Sequence, residues 1–441
     1  MDQPFSAPSS DAAAAPPEST DLELLYHLLQ QCPNLQRLSL SGECEGLQLK
    51  SWKNIAKSGL PGNLTDLTIT LTSDAWLCPS PVLPVLFSRC PPSLRRLHVH
   101  IKYYETEAPR TLVDQVDEQA EAGEVEPLPL MSELHLTCEG LKEYTNIYPP
   151  SWSQFLNGLP NLNTIEIDDW HHCVSDKDRA AMFSADHKGW RSVSLYELGP
   201  LTAEALTNHC STLETLDLRM ATGLTSALML QILSSSPRLH TFRTLIDDYA
   251  HDNKYWNKEE TYISAVDFID ADPVSNTFKP WACESTLKIF RAKISGIPRP
   301  DIKITFGGHD LEEGMVLEEV YHGQSQDIQS RVYDRLARLT RLENLELGNE
   351  DRDLKSEIFY DDYCEGDERF QQYECLSMTL ESGLWRLEGL KDLRVLSVVR
   401  MEERIGDDEK QWMKQHWPKI ERICRTRSVS WRGDDGVVHM K

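Results

Sequence analysis

One spacing recurs along this chain and limits what it can fold into: an apolar residue, two variable ones, an apolar residue, one variable one, an apolar residue. The clear instances are Leu35/Leu38/Leu40, Leu64/Leu67/Ile69, Leu94/Leu97/Val99, Leu162/Ile165/Ile167, Trp190/Val193/Leu195, Leu213/Leu216/Leu218, Leu342/Leu345/Leu347 and Leu393/Leu396/Val398. Weaker ones are Met131/Leu134/Leu136, Leu239/Phe242/Thr244, Leu287/Phe290/Ala292 and a terminal Ile420/Ile423. The last two anchors of each set are two residues apart, so both point to one side of a short strand while the residues between them face the other way. Pro33, Pro160, Pro237 and Pro418 stand just ahead of the next anchor, where a proline ends a helix and restarts the chain as extended structure.

First anchors at 35, 64, 94, 131, 162, 190, 213 and 239 are separated by steps of 29, 30, 37, 31, 28, 23 and 26 residues. Such a step holds one strand and one returning helix. Leu22, Leu25, Leu28 and Leu29 form one apolar helical stripe; Ile328, Val332, Leu336 and Leu339 form another, with Asp327, Arg331, Asp334, Arg335 and Arg338 between them. The expected fold is therefore α/β: a solenoid with a curved parallel sheet on its concave face, helices on its convex face, and a core to which every repeat contributes. The next steps, 239 to 287, 287 to 342 and 342 to 393, are 48, 55 and 51 residues long and call for insertions. The expected organisation is a disordered leader over 1–20, the repeat array over 21–425 with insertions near 102–130, 245–286 and 348–375, and a C-terminal tail over 426–441.

Cys210-Ser-Thr-Leu213-Glu-Thr-Leu216-Asp-Leu218, followed by Gly223-Leu224-Thr225 and a helix over Leu228 to Leu233, resembles the cysteine-containing leucine-rich repeat. Gln31-Cys32-Pro-Asn-Leu35-Gln-Arg-Leu38-Ser-Leu40 matches it again, and Cys90 is displaced by one residue from Leu94. More specifically, the chain is similar to the fungal F-box/leucine-rich-repeat proteins. The segments that carry this are Phe278-Lys-Pro-Trp281-Ala-Cys283-Glu-Ser-Thr-Leu287, Gly296-Ile-Pro298-Arg-Pro300-Asp301, Tyr373-Glu-Cys375-Leu376-Ser-Met378, and Gln411-Trp412-Met413 to Trp417-Pro418. The resemblance implies a substrate-recognition domain of a cullin-type ubiquitin ligase, with a small ligase adaptor as partner when an F-box is present. Here the repeats start by residue 22, so either the helical handle lies upstream of this sequence or the recognition domain stands without it. A stand-alone repeat scaffold or inhibitor is the alternative.

The formal charge of −25, from 45 Lys and Arg against 70 Asp and Glu, argues against a chain-wide phosphate-binding surface, and no nucleic acid is expected as partner. The one basic run, Lys419, Arg422, Arg425, Arg427 and Arg432 beside Trp431, reads as a solvated tail. Eleven scattered Cys with no CxxC pair point to free thiols in a reducing compartment. With neither a secretory leader nor the roughly 20 apolar residues that a spanning helix needs, a cytoplasmic or nuclear monomer away from membranes is expected.

Chemistry finds little support. His171-His172-Cys173 with Asp168 and Asp169 has the composition of a metal site, but its neighbours in sequence diverge in space and no zinc spacing is present. Asp361-Asp362-Tyr363-Cys364-Glu365-Gly366 is acidic without the alternation of a calcium loop. Gly307-Gly308-His309-Asp310 has no nucleophile elbow to serve. No catalytic residue, cofactor or metal is assigned, and the chain is read as a non-enzyme. The candidate partner-binding residues are instead the strand positions that face away from the core: Arg37, Asp66, Arg96, His98, Glu133, His135, Glu166, Asp217, Arg243 and Glu346. Extended concave surfaces are where solenoids bind protein partners. The acidic 102–130 segment reads as a solvated loop, with a clamp for a basic peptide as its sharper alternative. Aromatics in the long insertions, among them Tyr249, Trp256 and Tyr363, add a second place for a partner to dock.

Overall fold

Every apolar set of the sequence meets a strand in the computed structural model, with its second anchor inside the strand and its first in the turn just ahead; the third anchors Thr244, Ala292 and Leu347 lie one residue past their strands. The structure describes residues 28–40, 47–48, 60–73, 90–103, 127–139, 159–169, 176–184, 189–220, 224–244, 262–270, 277–299, 319–348, 375–399, 401, 404–425 and 437–439. The strands are β1 (Arg37–Leu40), β2 (Leu47–Gln48), β3 (Asp66–Ser73), β4 (Arg96–Tyr103), β5 (Glu133–Glu139), β6 (Thr164–Asp169), β7 (Ser192–Glu197), β8 (Thr215–Met220), β9 (Thr241–Arg243), β10 (Ile263–Ser264), β11 (Ile289–Arg291), β12 (Ile294–Ser295), β13 (Asn344–Glu346), β14 (Val395–Val398), β15 (Arg422–Arg425) and β16 (Val437–His439). The helices are α1 (Asp176–Ser184), α2 (Pro200–Thr207), α3 (Ser226–Ser235), α4 (Ala265–Phe268), α5 (Glu319–Ala337) and α6 (Asp407–His416), with a 3-10 turn at Leu384–Gly389.

Fourteen strands form one sheet in the order β1-β3-β4-β5-β6-β7-β8-β9-β11-β13-β14-β15-β16, with β2 also paired to β3. Every pairing in it is parallel except β15 with β16, where part of the expected C-terminal tail folds back as an antiparallel strand. A separate two-stranded pair joins β10 to β12. Sequential parallel order without crossovers is what a chain of strand-and-return units must produce, because each repeat contacts only its neighbours. The architecture is a leucine-rich-repeat solenoid.

The register explains why the anchors are apolar. Leu38, Leu67, Leu97, Leu134, Ile165, Val193 and Leu216 stand side by side across successive strands, and Phe242, Phe290, Leu345, Leu396 and Ile423 continue the row. From Leu67 onward every member of that row is fully buried. The weaker sets are as buried as the clear ones. Phe242 and Phe290 stack with ring centroids 6.0 Å apart, so bulkier anchors fill the core where the repeats lengthen.

Two backbone devices lock repeat to repeat. Ahead of each strand, one carbonyl accepts two amides of the next repeat, as Gln36 O does from Thr65 and Asp66 and Glu343 O does from Arg394 and Val395. Just before the first anchor, a polar side chain reaches back to a carbonyl of the previous repeat: Asn63 to Pro33, Ser93 to Leu64, Asn161 to Pro129, Thr212 to Trp190 and Thr286 to Leu239, at 2.6–3.1 Å. Asn63, whose triplet fits a glycosylation pattern, is therefore occupied in packing. Gly189 fills the same position ahead of Trp190 at φ 111°, and a Cβ there would lie 2.5 Å from the Thr212 hydroxyl, so glycine is required.

On the helical side, Asp176 at the start of α1 accepts from the amides of Leu201 and Thr202, so one helix caps the next. The stripe Val332, Leu336 and Leu339 is buried as its spacing predicts. Arg335, expected among the charged residues of α5, is also fully buried. Its guanidinium lies 4.2 Å from the Trp281 ring centroid and 5.6 Å from that of Phe278, and 3.4 Å from Glu284. Burial pushes its pKa down to about 10, with Glu284 opposing the shift. Aromatic faces and one carboxylate replace the water that a buried guanidinium loses.

Candidate functional site

The residues between the anchors form two polar rows on the face opposite the core. In the first, Arg37, Asp66, Arg96 and Glu133 stand in register across β1, β3, β4 and β5. In the second, His98, His135, Glu166, Ser194, Asp217, Arg243, Arg291, Glu346 and Ser397 run from β4 to β14. The structure thus brings the ten sequence-nominated residues together on one face, and adds Arg291, which the weak repeat at Leu287 concealed.

Local geometry divides the face. At its N-terminal end, Asp66 is flanked by two guanidinium groups, Arg96 Nε at 2.5 Å and Arg37 Nε at 3.8 Å, and also accepts from the Thr65 hydroxyl at 2.7 Å. The Arg37 side chain is 79% exposed. One row over, the His98 and His135 rings stack with centroids 4.0 Å apart and an interplanar angle of 15°. His135 Nδ1 lies 2.7 Å from Glu166 Oε2. Desolvation holds the His98 pKa below the usual imidazole value, followed by the repulsion of His135, while Glu133 and Glu166 pull the other way and Arg96 adds a small push down. These side chains are half-buried and reachable from solvent.

Further along, Arg243 Nη1 pairs with Asp217 Oδ2 at 3.1 Å, both about one quarter exposed. Beyond them the face closes. Arg291 Nε pairs with Glu346 Oε2 at 3.2 Å with both side chains buried, Ser397 is buried, and Val395 to Val398 is buried on both sides. Glu346 is therefore removed from the candidate partner-binding set: at 6% side-chain exposure it is committed to Arg291 and is not offered to a partner. The sequence could not distinguish it from Glu166, since both occupy the same position of the repeat.

Asp168 and Asp169 end β6, whereas 171–173, 307–310 and 361–366 lie outside the described residues. So do most of the 102–130 and 348–375 segments and the 245–261 part of the middle insertion. Among the described residues no group of three or more His, Cys, Asp or Glu is placed to hold a metal ion, and no helix is long and apolar enough to cross a membrane. Cys32, Cys210 and Cys283 carry free thiols.

The class of protein rests on the strand register itself. No family model matches the chain, and no curated protein matches it. Among solved structures, a leucine-rich-repeat protein of Leptospira interrogans is similar over 89% of this chain and 90% of that one, at 14% identity and a TM-score of 0.27. A likeness at that level leaves the function to be read from the surface.

Proposed function

We propose that this chain is a non-catalytic protein-interaction module, and that its recognition surface is the open N-terminal part of the concave face, centred on β3 to β6. One observation carries the reading: two continuous polar rows, set on a sheet held rigid by the core behind it, stay accessible there and are buried farther along. A rigid surface of this kind binds without the ordering cost of a loop. The finer reading is that the module serves as the substrate-recognition part of an F-box/leucine-rich-repeat type ubiquitin-ligase receptor. That reading is supported by the cysteine-containing repeats and by the connecting segments around Trp281, Cys375 and Trp417. In the fold these three packing residues are all buried.

The test is a tagged pull-down from native cells with mass spectrometry, run in parallel with a Ser194→Trp variant that fills the concave face. Co-purification of a cullin and its adaptor, together with preys that vanish in the variant, is the expected result. Preys lost in the variant without ligase subunits would leave a stand-alone scaffold or inhibitor. Preys indifferent to the variant would move recognition off this face.

A further inference from the structure

The charges of the concave face are not equally engaged. Asp66 holds Arg37 and Arg96, Asp217 holds Arg243, and Arg291 holds Glu346. Glu133 forms no ion pair among the described residues, although Arg96 stands directly opposite it in register; Arg96 turns to Asp66 instead. Glu166 meets an imidazole, that of His135. Glu133 and Glu166 are diagonal neighbours on adjacent strands, since Glu133 opposes Thr164 and His135 opposes Glu166. Such positions lie about 7–8 Å apart. His135 adjoins both, two residues on from Glu133 along β5 and opposite Glu166 on β6, and its ring stacks on that of His98.

We infer that this patch on β4 to β6 receives an arginine side chain from a basic segment of a protein partner. The inference rests on the reading of the concave face as the recognition surface and names what that face selects. A guanidinium is planar, lies flat on an aromatic ring and carries donors at its edge for two carboxylates at once. A lysine ammonium can satisfy the charge but not the stacking. The chain's net charge of −25 favours the approach of a basic partner over an acidic one.

Protonation of His98 opposes the complex. The charged and titratable groups around the histidine pair are Asp66 on β3 with Arg37 beside it, Arg96 and His100 on β4, Glu133 on β5 and Glu166 on β6, with Asp168 at the adjoining register position. Across from Thr164 and Glu166, β7 places Ser192 and Ser194. A cationic His98 beside His135 repels the incoming guanidinium, so affinity falls on acidification.

Fluorescence anisotropy with the full chain tests this, using three labelled Ser/Gly dodecapeptides that carry three evenly spaced Arg, Lys or Glu residues. The Arg peptide is expected to bind more tightly than the Lys peptide, and the Glu peptide not at all. Glu133→Gln and Glu166→Gln should each weaken the Arg peptide about tenfold, the scale of one charged hydrogen bond. Affinity should fall between pH 7.5 and pH 5.5, with circular dichroism unchanged. Equal binding of Arg and Lys peptides, no binding of the Arg peptide, or binding unmoved by both Gln variants overturns the inference. If binding resists the Gln variants but is lost in Ser194→Trp, the arginine assignment fails and the concave face remains the recognition surface. If it also survives Ser194→Trp, both readings fail.

Discussion

The two ends of the sheet follow one repeat pattern and reach opposite outcomes. Strands β3 to β5 run for seven or eight residues, while β9, β11 and β13 run for three. The alternation itself is longer at the N-terminal end: Leu67, Ile69 and Leu71 on β3 and Leu97, Val99 and Ile101 on β4 each carry it one step further than Phe242 on β9 and Thr244 just past it. Long strands there present rows of half-buried polar side chains. Short strands β11 and β13 at the other end bury Arg291 and Glu346 on the outer face as well, so the same position that holds a reachable Glu166 holds a buried Glu346. A repeat motif therefore sets where a residue points, and the neighbouring segments set whether anything can reach it.

The C-terminal end also concentrates buried polar contacts. Tyr333 donates toward Ser382 at 3.3 Å and accepts from the amide of Met378 at 3.1 Å, which has φ 56°. Gln329 accepts from the Ser377 amide at 2.9 Å, and Arg299 donates to the Cys375 carbonyl at 3.2 Å. These bonds tie α5 to the chain where it re-enters the array, so the packing of this end depends on satisfied polar groups as well as on apolar area.

The broadest way to break the comparison is Leu216→Asp in the shared core. An unpaired carboxylate between Val193 and Phe242 should destabilise the array by more than about 4 kcal/mol. An unchanged circular dichroism spectrum and proteolysis pattern would show that the register is wrong. Next, Glu346→Ala should cost about 3–5 kcal/mol in urea unfolding because it strands the buried Arg291. Asp66→Ala, at the open end, should cost less than about 1 kcal/mol if its ion pairs are as solvent-screened as their exposure implies. Equal losses would erase the distinction between a closed and an open end.

Tyr333→Phe removes one hydroxyl and leaves the Met378 amide without its acceptor, for an expected loss of about 1–3 kcal/mol. The smallest effect concerns His98. Its folded pKa lies below the unfolded value of about 6.5, so the unfolded chain takes up the proton first as pH falls. Stability should drop as pH falls below about 6.5 and through the folded pKa, and His98→Asn should flatten that part of the thermal-melt profile between pH 7.5 and 5.5. A steeper profile in the variant would reverse the sign of the argument.

The array, its parallel order and the direction of each strand side chain were legible in the chain, because a period of two and a repeat of about thirty residues leave few alternatives for burying the same anchors. All ten nominated surface residues lie on the face opposite the core for that reason, and nine of them stay at least partly exposed. The polar residue ahead of each first anchor was equally visible at Asn63, Ser93, Asn161, Thr212 and Thr286, yet its role depends on a carbonyl in another repeat. Arg335 reads as a surface charge on a helix, and only the approach of Phe278 and Trp281 makes it part of the core. The stacking of His98 on His135, the lack of an ion pair to Glu133 among the described residues and the burial of Glu346 are likewise properties of strands brought side by side. Local sequence determines the face on which a side chain lies; its exposure, partners and charge follow from residues dozens of positions away, and those only the tertiary structure supplies.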